Sequence, residues 1–306
     1  LFRSLAEKLA HITPGSTNKR VFFAQSGAAA IEAAIKGARM YKYNTVVKGG
    51  EPTDAAAQYP YPYKIISRYR SWHGSTAGAL SVGGDPRRWF AEPLTQPGVV
   101  FAPDANAYRP LFNGNTTEEE VAANLHYLEY IIDNEGGNSK VAAIIIEPVV
   151  GSNGIIPPPA GYLKGIRELC DRRNLLLIVD ETMSGMGRTG KFLATEHYDI
   201  EPDIMVMGKA LGVYCPLAVA IFNEKVAAVF EDNIFGHGQS FSGHALGCAA
   251  ALAGIEILES DGFLKGASSK GEYLGGQLKT LKEKHPAIGD VRGMGLFWTI
   301  ELVKDQ

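Results

Sequence analysis

Short apolar runs ending in a polar or turn residue alternate along this chain with stretches where apolar positions recur every three or four residues. The runs are RVFFAQ (20–25), KIISRY (64–69), VAAIIIEP (141–148), NLLLIVDE (174–181), DIMVMGK (203–209) and LAVAIF (217–222). Unbroken apolar runs of this length suit strands buried on both faces, as in a mostly parallel sheet covered by helices. The periodic stretches IEAAIKGARMYK (31–42), EEEVAANLHYLEYIIDNE (118–135) and PAGYLKGIRELCDRRN (159–174) supply the helices. Together they predict an α/β fold. Leu1, Leu5, Leu9 and Ile12 mark a further amphipathic helix at the start of the chain. Gly and Pro crowd three connections, 48–62, 83–98 and 150–161, and the first reads as a surface insertion. From about Leu258 the pattern changes to a helix at 270–285 followed by two short strands around RGMGLFWTIEL. The division expected is therefore a large domain at 1–257 and the beginning of a smaller α+β domain at 258–306. The chain opens without Met inside a helical pattern and stops just after a strand, so both ends are expected to be incomplete.

Composition narrows the partners. With 30 Lys plus Arg against 33 Asp plus Glu, the formal charge of -3 gives no reason to expect nucleic acid or an anionic membrane. No apolar stretch is long enough to span a bilayer, and the start lacks a signal peptide's order of charged, apolar and small residues. Cys170, Cys215 and Cys248 are far apart and odd in number. They predict neither disulfides nor a metal site, and a reducing, cytoplasmic setting. A small-molecule ligand is the reading left.

In open parallel sheets, ligands bind where strands end at their carboxyl edge. RVFFAQ runs into Ser26-Gly27-Ala28 and then directly into a helix. Ser26 suits an N-cap, and Gly27 with Ala28 would leave N–H groups open to a phosphate, although the same small residues would serve tight strand–helix packing alone. Asp180 closes LLIVD, where a buried carboxylate needs a cation or a protonated ring nitrogen, or else caps a loop. Lys209 ends IMVMGK, where partial desolvation would lower its pKa and make its amine nucleophilic, whereas a lone lysine there more often reaches solvent.

These segments, with RYRSWHGSTAGAL, LIVDETMSGMGRTGKF and GHGQSFSGHALGCAAALAGIEIL, resemble in order the class III, or omega, aminotransferases, fold type I enzymes that use pyridoxal 5'-phosphate. The resemblance implies that Lys209 carries the cofactor as a Schiff base and then moves the proton. It implies that Asp180 partners the pyridine nitrogen, that Trp72 stacks on the ring with His73 beside it, and that Thr182 packs on the opposite face. Gly27 and Ala28 then cradle the phosphate after Ser26, Glu147 lies close to the cofactor, and Ser240 reaches the phosphate of a neighbouring subunit, making the active site the property of a homodimer.

The sequence departs from the family pattern at four places. Ala29 replaces a Glu, which removes the reciprocal capping box with Ser26. Thr182 replaces a Val, Trp72 a Tyr, and Ala245 a Pro. Ser152 stands where members acting on acetylornithine, ornithine or gamma-aminobutyrate carry a second Glu. This, with RYRSWHGSTAGALSVGGDPRRW, resembles the taurine- and beta-alanine-type transaminases, whose acceptor is commonly pyruvate, although Ser152 and Asn153 would equally serve to turn the loop. The activity implied is amino transfer from an amine or omega-amino acid to a keto acid. An aminomutase or a dialkylglycine-type decarboxylase on the same scaffold, or an inactive truncated subunit, are the alternatives. A nicotinamide enzyme is disfavoured, because no Gly-x-Gly-x-x-Gly follows an early strand.

Overall fold

The computed structural model describes residues 1–49, 59–260 and 262–304. Most of the connection read as a surface insertion, 48–62, lies outside the described residues.

The six expected runs all form strands: β1 (Arg20–Ala24), β2 (Lys64–Arg68), β4 (Val141–Ile146), β5 (Leu176–Asp180), β6 (Ile204–Met207) and β7 (Ala218–Phe222). A seventh, β3 (Val99–Ala102), went unread. Its four residues follow a Gly- and Pro-rich connection and sit half-buried at the sheet's edge, so they carry little of the apolar run that marked the others. The order across the sheet is β1-β7-β6-β5-β4-β2-β3. Neighbours from β3 through β6 are parallel, while β7 runs antiparallel to both β6 and β1.

Alternate residues of the central strands face different helices, as a pleat with period two requires. Ile145 and Ile178 pack on the side of α2 (Gly27–Lys42). Ile144, Ile146 and Leu177 face α4 (Thr117–Asn134) and α5 (Tyr162–Arg172). Met205, Val219 and Ile221 meet α1 (Phe2–Ile12) and α7 (Ala245–Ser260). Each fully buried aliphatic side chain contributes roughly 1.5–3 kcal/mol by leaving water, so this double-sided core fixes the strands and what hangs from their ends. The α/β expectation therefore holds, with helices on both faces. In α1, Leu5 and Leu9 are buried, while Leu1 at the edge of the stripe is exposed.

Two shorter helices, α3 (Ala77–Ser81) and α6 (Glu224–Val229), follow β2 and β7. After α7 the chain forms α8 (Phe263–Lys284) and an antiparallel pair, β8 (Ile288–Met294) with β9 (Phe297–Leu302), which pair with each other and not with the main sheet. The 257/258 division falls inside α7, which runs unbroken from Ala245 to Ser260. Among the described residues no helix is long and apolar enough to cross a membrane.

Candidate active site

Parallel strands in register carry their last residues to one edge. Glu147 follows β4, Asp180 ends β5, and Lys209 stands two residues past β6, so three ionisable groups gather there. The turn after β2 brings Trp72 and His73 to the same edge. Because β1 is antiparallel to β7 and β7 to β6, β1 also ends on this side and delivers the N-terminus of α2. One cavity of about 400 Å³ is lined by eight of the ten residues expected from sequence, all but Ser26 and Ser240. That volume lies within the range of small-ligand pockets. Gly74, Ser75, Thr76 and Met183 also line it and were not foreseen. They lie within a few residues of Trp72 or Thr182, so proximity in sequence was the only signal available for them.

Asp180 is 4% exposed, and a carboxylate so placed needs partners. The partner expected was a cation or a ring nitrogen; the structure supplies His73, whose Nδ1 lies 2.9 Å from Asp180 Oδ2, while Oδ1 accepts from the Thr182 backbone N–H at 2.9 Å. With Nδ1 turned to a carboxylate, the network assigns its proton there. His73 Nε2 and Thr182 Oγ1 are buried and make no hydrogen bond among the described residues. Glu147 accepts from the backbone N–H of Trp72 and of Gly151, each at 2.9 Å. Burial pushes its pKa up, the nearby His73 pulls it down, and Asp180 pushes it up again.

Lys209 forms no ion pair with Asp180, and its amine has no hydrogen-bond partner among the described residues. Desolvation lowers its pKa from the ordinary value, against the pull of the Asp180 and Glu147 carboxylates, which raise it. Its backbone is left-handed, at φ +45. An L-residue pays an energetic penalty there, and such outliers cluster at functional positions. The preceding Gly208 is needed for close approach: a Cβ there would lie 3.3 Å from both Ala218 Cβ and Thr182 Cγ2, and 3.6 Å from Gly27 Cα. β6, β7, the loop after β5 and the start of α2 are thus packed around one point. A larger cavity, of about 690 Å³, adjoins the first and shares Thr182, Met183 and Lys209 with it.

Ser26 caps α2, its Oγ accepting from Ala29 N at 3.2 Å, so its hydroxyl shapes the helix start and does not line the cavity. The Glu missing at position 29 has no replacement in that cap; Glu32, in the second turn, instead accepts from Gly78 N at 2.7 Å and Thr76 Oγ1 at 2.8 Å. Ser240 is exposed on the chain before α7, where its carbonyl accepts from Gln25 Nε2. Of the loop residues singled out as a substrate signal, Ser152 Oγ donates to Met183 Sδ at 3.4 Å and Asn153 Nδ2 donates to Arg70 O at 2.5 Å.

The set fits a phosphorylated pyridine aldehyde: open N–H groups at a helix N-terminus, a carboxylate–imidazole pair, an aromatic wall and an unpaired amine. Comparison with known proteins points the same way. The chain is 38% identical over 308 residues to a taurine–pyruvate aminotransferase of Bilophila wadsworthia, covering 98% of this chain and 64% of that protein. Its structure matches that of a thermostable (S)-enantioselective omega-transaminase from Thermomicrobium roseum with a TM-score of 0.89 and 35% identity, covering 99% of this chain and 65% of that one. The same figures hold for a taurine:2-oxoglutarate aminotransferase from Bifidobacterium kashiwanohense, solved in complex with PLP and glutamate. The chain thus spans less than two thirds of the length of these relatives. A family model for aminotransferase class-III matches residues 2–306. By that match, and by these identities along nearly its whole length, the chain belongs to the class-III aminotransferase family.

Proposed function

We propose that the protein of which this chain is part binds pyridoxal phosphate on Lys209 and transfers amino groups from an amine or omega-amino acid to a keto acid. The observation that carries this reading is the placement of an unpaired lysine amine and a buried Asp–His pair on the wall of one cavity, with no ion pair between them. Had the two charges met directly, no ring would fit between them.

When bound, pyridoxal phosphate supplies a carbonyl that exchanges with amines and a ring that accepts electrons from a neighbouring carbanion. The chain does the rest. Lys209 would hold the cofactor through its amine and would carry the proton to be moved on its Nζ. Asp180, braced by His73, keeps the pyridine nitrogen protonated. The first N–H groups of α2, at Gly27 and Ala28, hold the phosphate at the positive end of the helix. Trp72 covers one side of the ring and Thr182 the other, while Glu147 fixes the Trp72 backbone. Ser240, outside its own chain's cavity, reaches the phosphate of a second copy, so the active unit is a homodimer.

Ser152 in place of a second acidic residue favours amine and omega-amino acid donors; pyruvate is the acceptor proposed, and 2-oxoglutarate, named for a taurine aminotransferase of similar identity, is the competitor to test against it. Residues 1–257, extended to the end of α7 at Ser260, form the cofactor-binding domain, and α8 with β8 and β9 a smaller one. Three unpaired cysteines suit a cytoplasmic setting.

The test is borohydride reduction of the protein incubated with pyridoxal phosphate. A reduced adduct on the Lys209 peptide, absent from Lys209→Ala, together with a visible band that shifts on adding donor, is the expected result. No adduct on the native chain sinks the reading. Competition between pyruvate and 2-oxoglutarate, with product analysis for carbon dioxide or turnover without a keto acid, then separates simple transamination from the other reactions this scaffold supports.

A further inference from the structure

Trp72 is gripped twice, and only one of the grips faces the cavity. Its backbone N–H is held by Glu147 Oε1 at 2.9 Å. Its ring is stacked by Arg87, whose guanidinium carbon lies 3.6 Å from the ring centroid. Trp72 lines the 400 Å³ cavity and Arg87 does not, so the guanidinium backs the indole from outside.

Arg87 is itself immobilised. Its Nε donates to Asp85 Oδ1 at 2.7 Å and its Nη2 to Asp85 Oδ2 at 2.9 Å, a two-pronged fork. Oδ1 also accepts the Arg87 backbone N–H at 2.7 Å. Asp85 is buried at 4% exposure, so the anchor of the fork belongs to the folded body and not to a mobile surface group. A guanidinium bonded in its own plane keeps both faces free to stack, which an ammonium cannot do. The neighbouring Arg88 does something different, packing over Phe101 and pairing with Glu92, so the two adjacent arginines have separate tasks.

We propose that Arg87 is a positioning residue for the cofactor: held by Asp85, it fixes the Trp72 indole in the orientation that stacks on the pyridine ring. The inference rests on the pyridoxal phosphate reading above. An aromatic wall already held in its bound rotamer loses no torsional freedom when the ring arrives, and that saving appears as tighter binding.

The test uses holoenzyme stripped of cofactor and titrated with pyridoxal phosphate, as wild type, Arg87→Met, Arg87→Lys and Asp85→Asn. Binding is read by tryptophan fluorescence, ring orientation by the visible circular dichroism of the bound cofactor, and folding by melting of the stripped protein. Arg87→Met is expected to weaken binding about threefold to tenfold, the size of a partly exposed cation–aromatic stack, and to reduce the visible dichroism. Asp85→Asn should lose less, and Arg87→Lys should recover part of the Met loss, with melting little changed. Unaltered affinity and dichroism in Arg87→Met overturns the inference alone. A loss that tracks melting temperature across all three variants overturns it as well, since global loosening would then be the cause. A wild type that binds no pyridoxal phosphate overturns both this inference and the proposed function.

Discussion

Lys209 combines a left-handed backbone with a depressed amine pKa, and both follow from where β6 delivers it. Desolvation is the leading cause of the shift, so the protonated form is the one the fold disfavours. A lysine whose folded pKa lies below its unfolded value costs stability at every pH below the folded value, and the cost fades as pH rises from the folded towards the unfolded pKa. Below the folded value the whole cost is present. Lys209→Met should therefore melt at a higher temperature than the wild type when both are free of cofactor, while forming no reducible adduct. The same shift should let the wild-type amine capture pyridoxal phosphate with a rate that climbs with pH to a midpoint below 10.5, the ordinary lysine value. Following the borohydride-trapped adduct after mixing at a series of pH values measures that midpoint. A midpoint at or above the ordinary value would show that the carboxylates of Asp180 and Glu147 outweigh desolvation.

The functional edge is built where elements nearly touch, and its tolerances are set by small residues. Gly74 has φ +132, and a Cβ there would fall 2.5 Å from the Ala28 Cβ, at the start of α2. Gly74→Ala must therefore both strain its own backbone and push the helix start that would hold the phosphate. The expected cost is about 2–3 kcal/mol in a denaturant melt, from the strained conformation and the overpacking together, with weaker cofactor binding in what remains folded. A neutral substitution would mean that α2 shifts freely, contrary to its burial against β6 and β7. Much of this edge could be read beforehand. Strands β4, β5 and β6 carry all-apolar runs ending in Glu147, Asp180 and Lys209, and burial on both faces leaves that pattern in the sequence. What could not be read was contact between distant parts. His73 and Asp180 meet across 107 positions, Arg87 lies over Trp72 from beyond α3, and Gly208 is small because three other elements crowd it. Asp203 illustrates the same limit. Standing just before β6, it is a hub that accepts from Leu177 N and Arg167 Nη1, each at 2.8 Å, tying β5, β6 and α5 together. β3 escaped because an edge strand is too little buried to need a full apolar run.

At the scale of the whole molecule, parts of the chain differ in how they are tied to the cavity. Arg292 of β8 donates to Gly154 O at 2.7 Å and to Glu301 Oε2 at 2.6 Å, so the small antiparallel sheet is tied to the loop beside the cavity within one chain. Ser240, held by Gln25 just before the start of α2, does not line its own chain's cavity. It lies on the stretch before α7 where Ile234 and Phe241 are 90% and 76% exposed, apolar surface of the kind that a partner covers. If the Ser240 hydroxyl serves the neighbour's phosphate across a two-fold axis, each site draws Lys209 from one chain and Ser240 from the other. Two defective chains can then repair one another. Lys209→Ala lacks the amine, and Ser240→Asp places a negative charge where a phosphate must sit, so each homodimer should be nearly inactive. In a heterodimer purified through two different tags, one site carries both defects and the other carries neither. Such a heterodimer should recover about half of the wild-type activity per dimer, one intact site of the two that symmetry provides. Were Ser240 to act within its own chain, each subunit would keep its own defect and the heterodimer would be as inactive as its parents. An active Ser240→Asp homodimer would show instead that no phosphate comes near this residue.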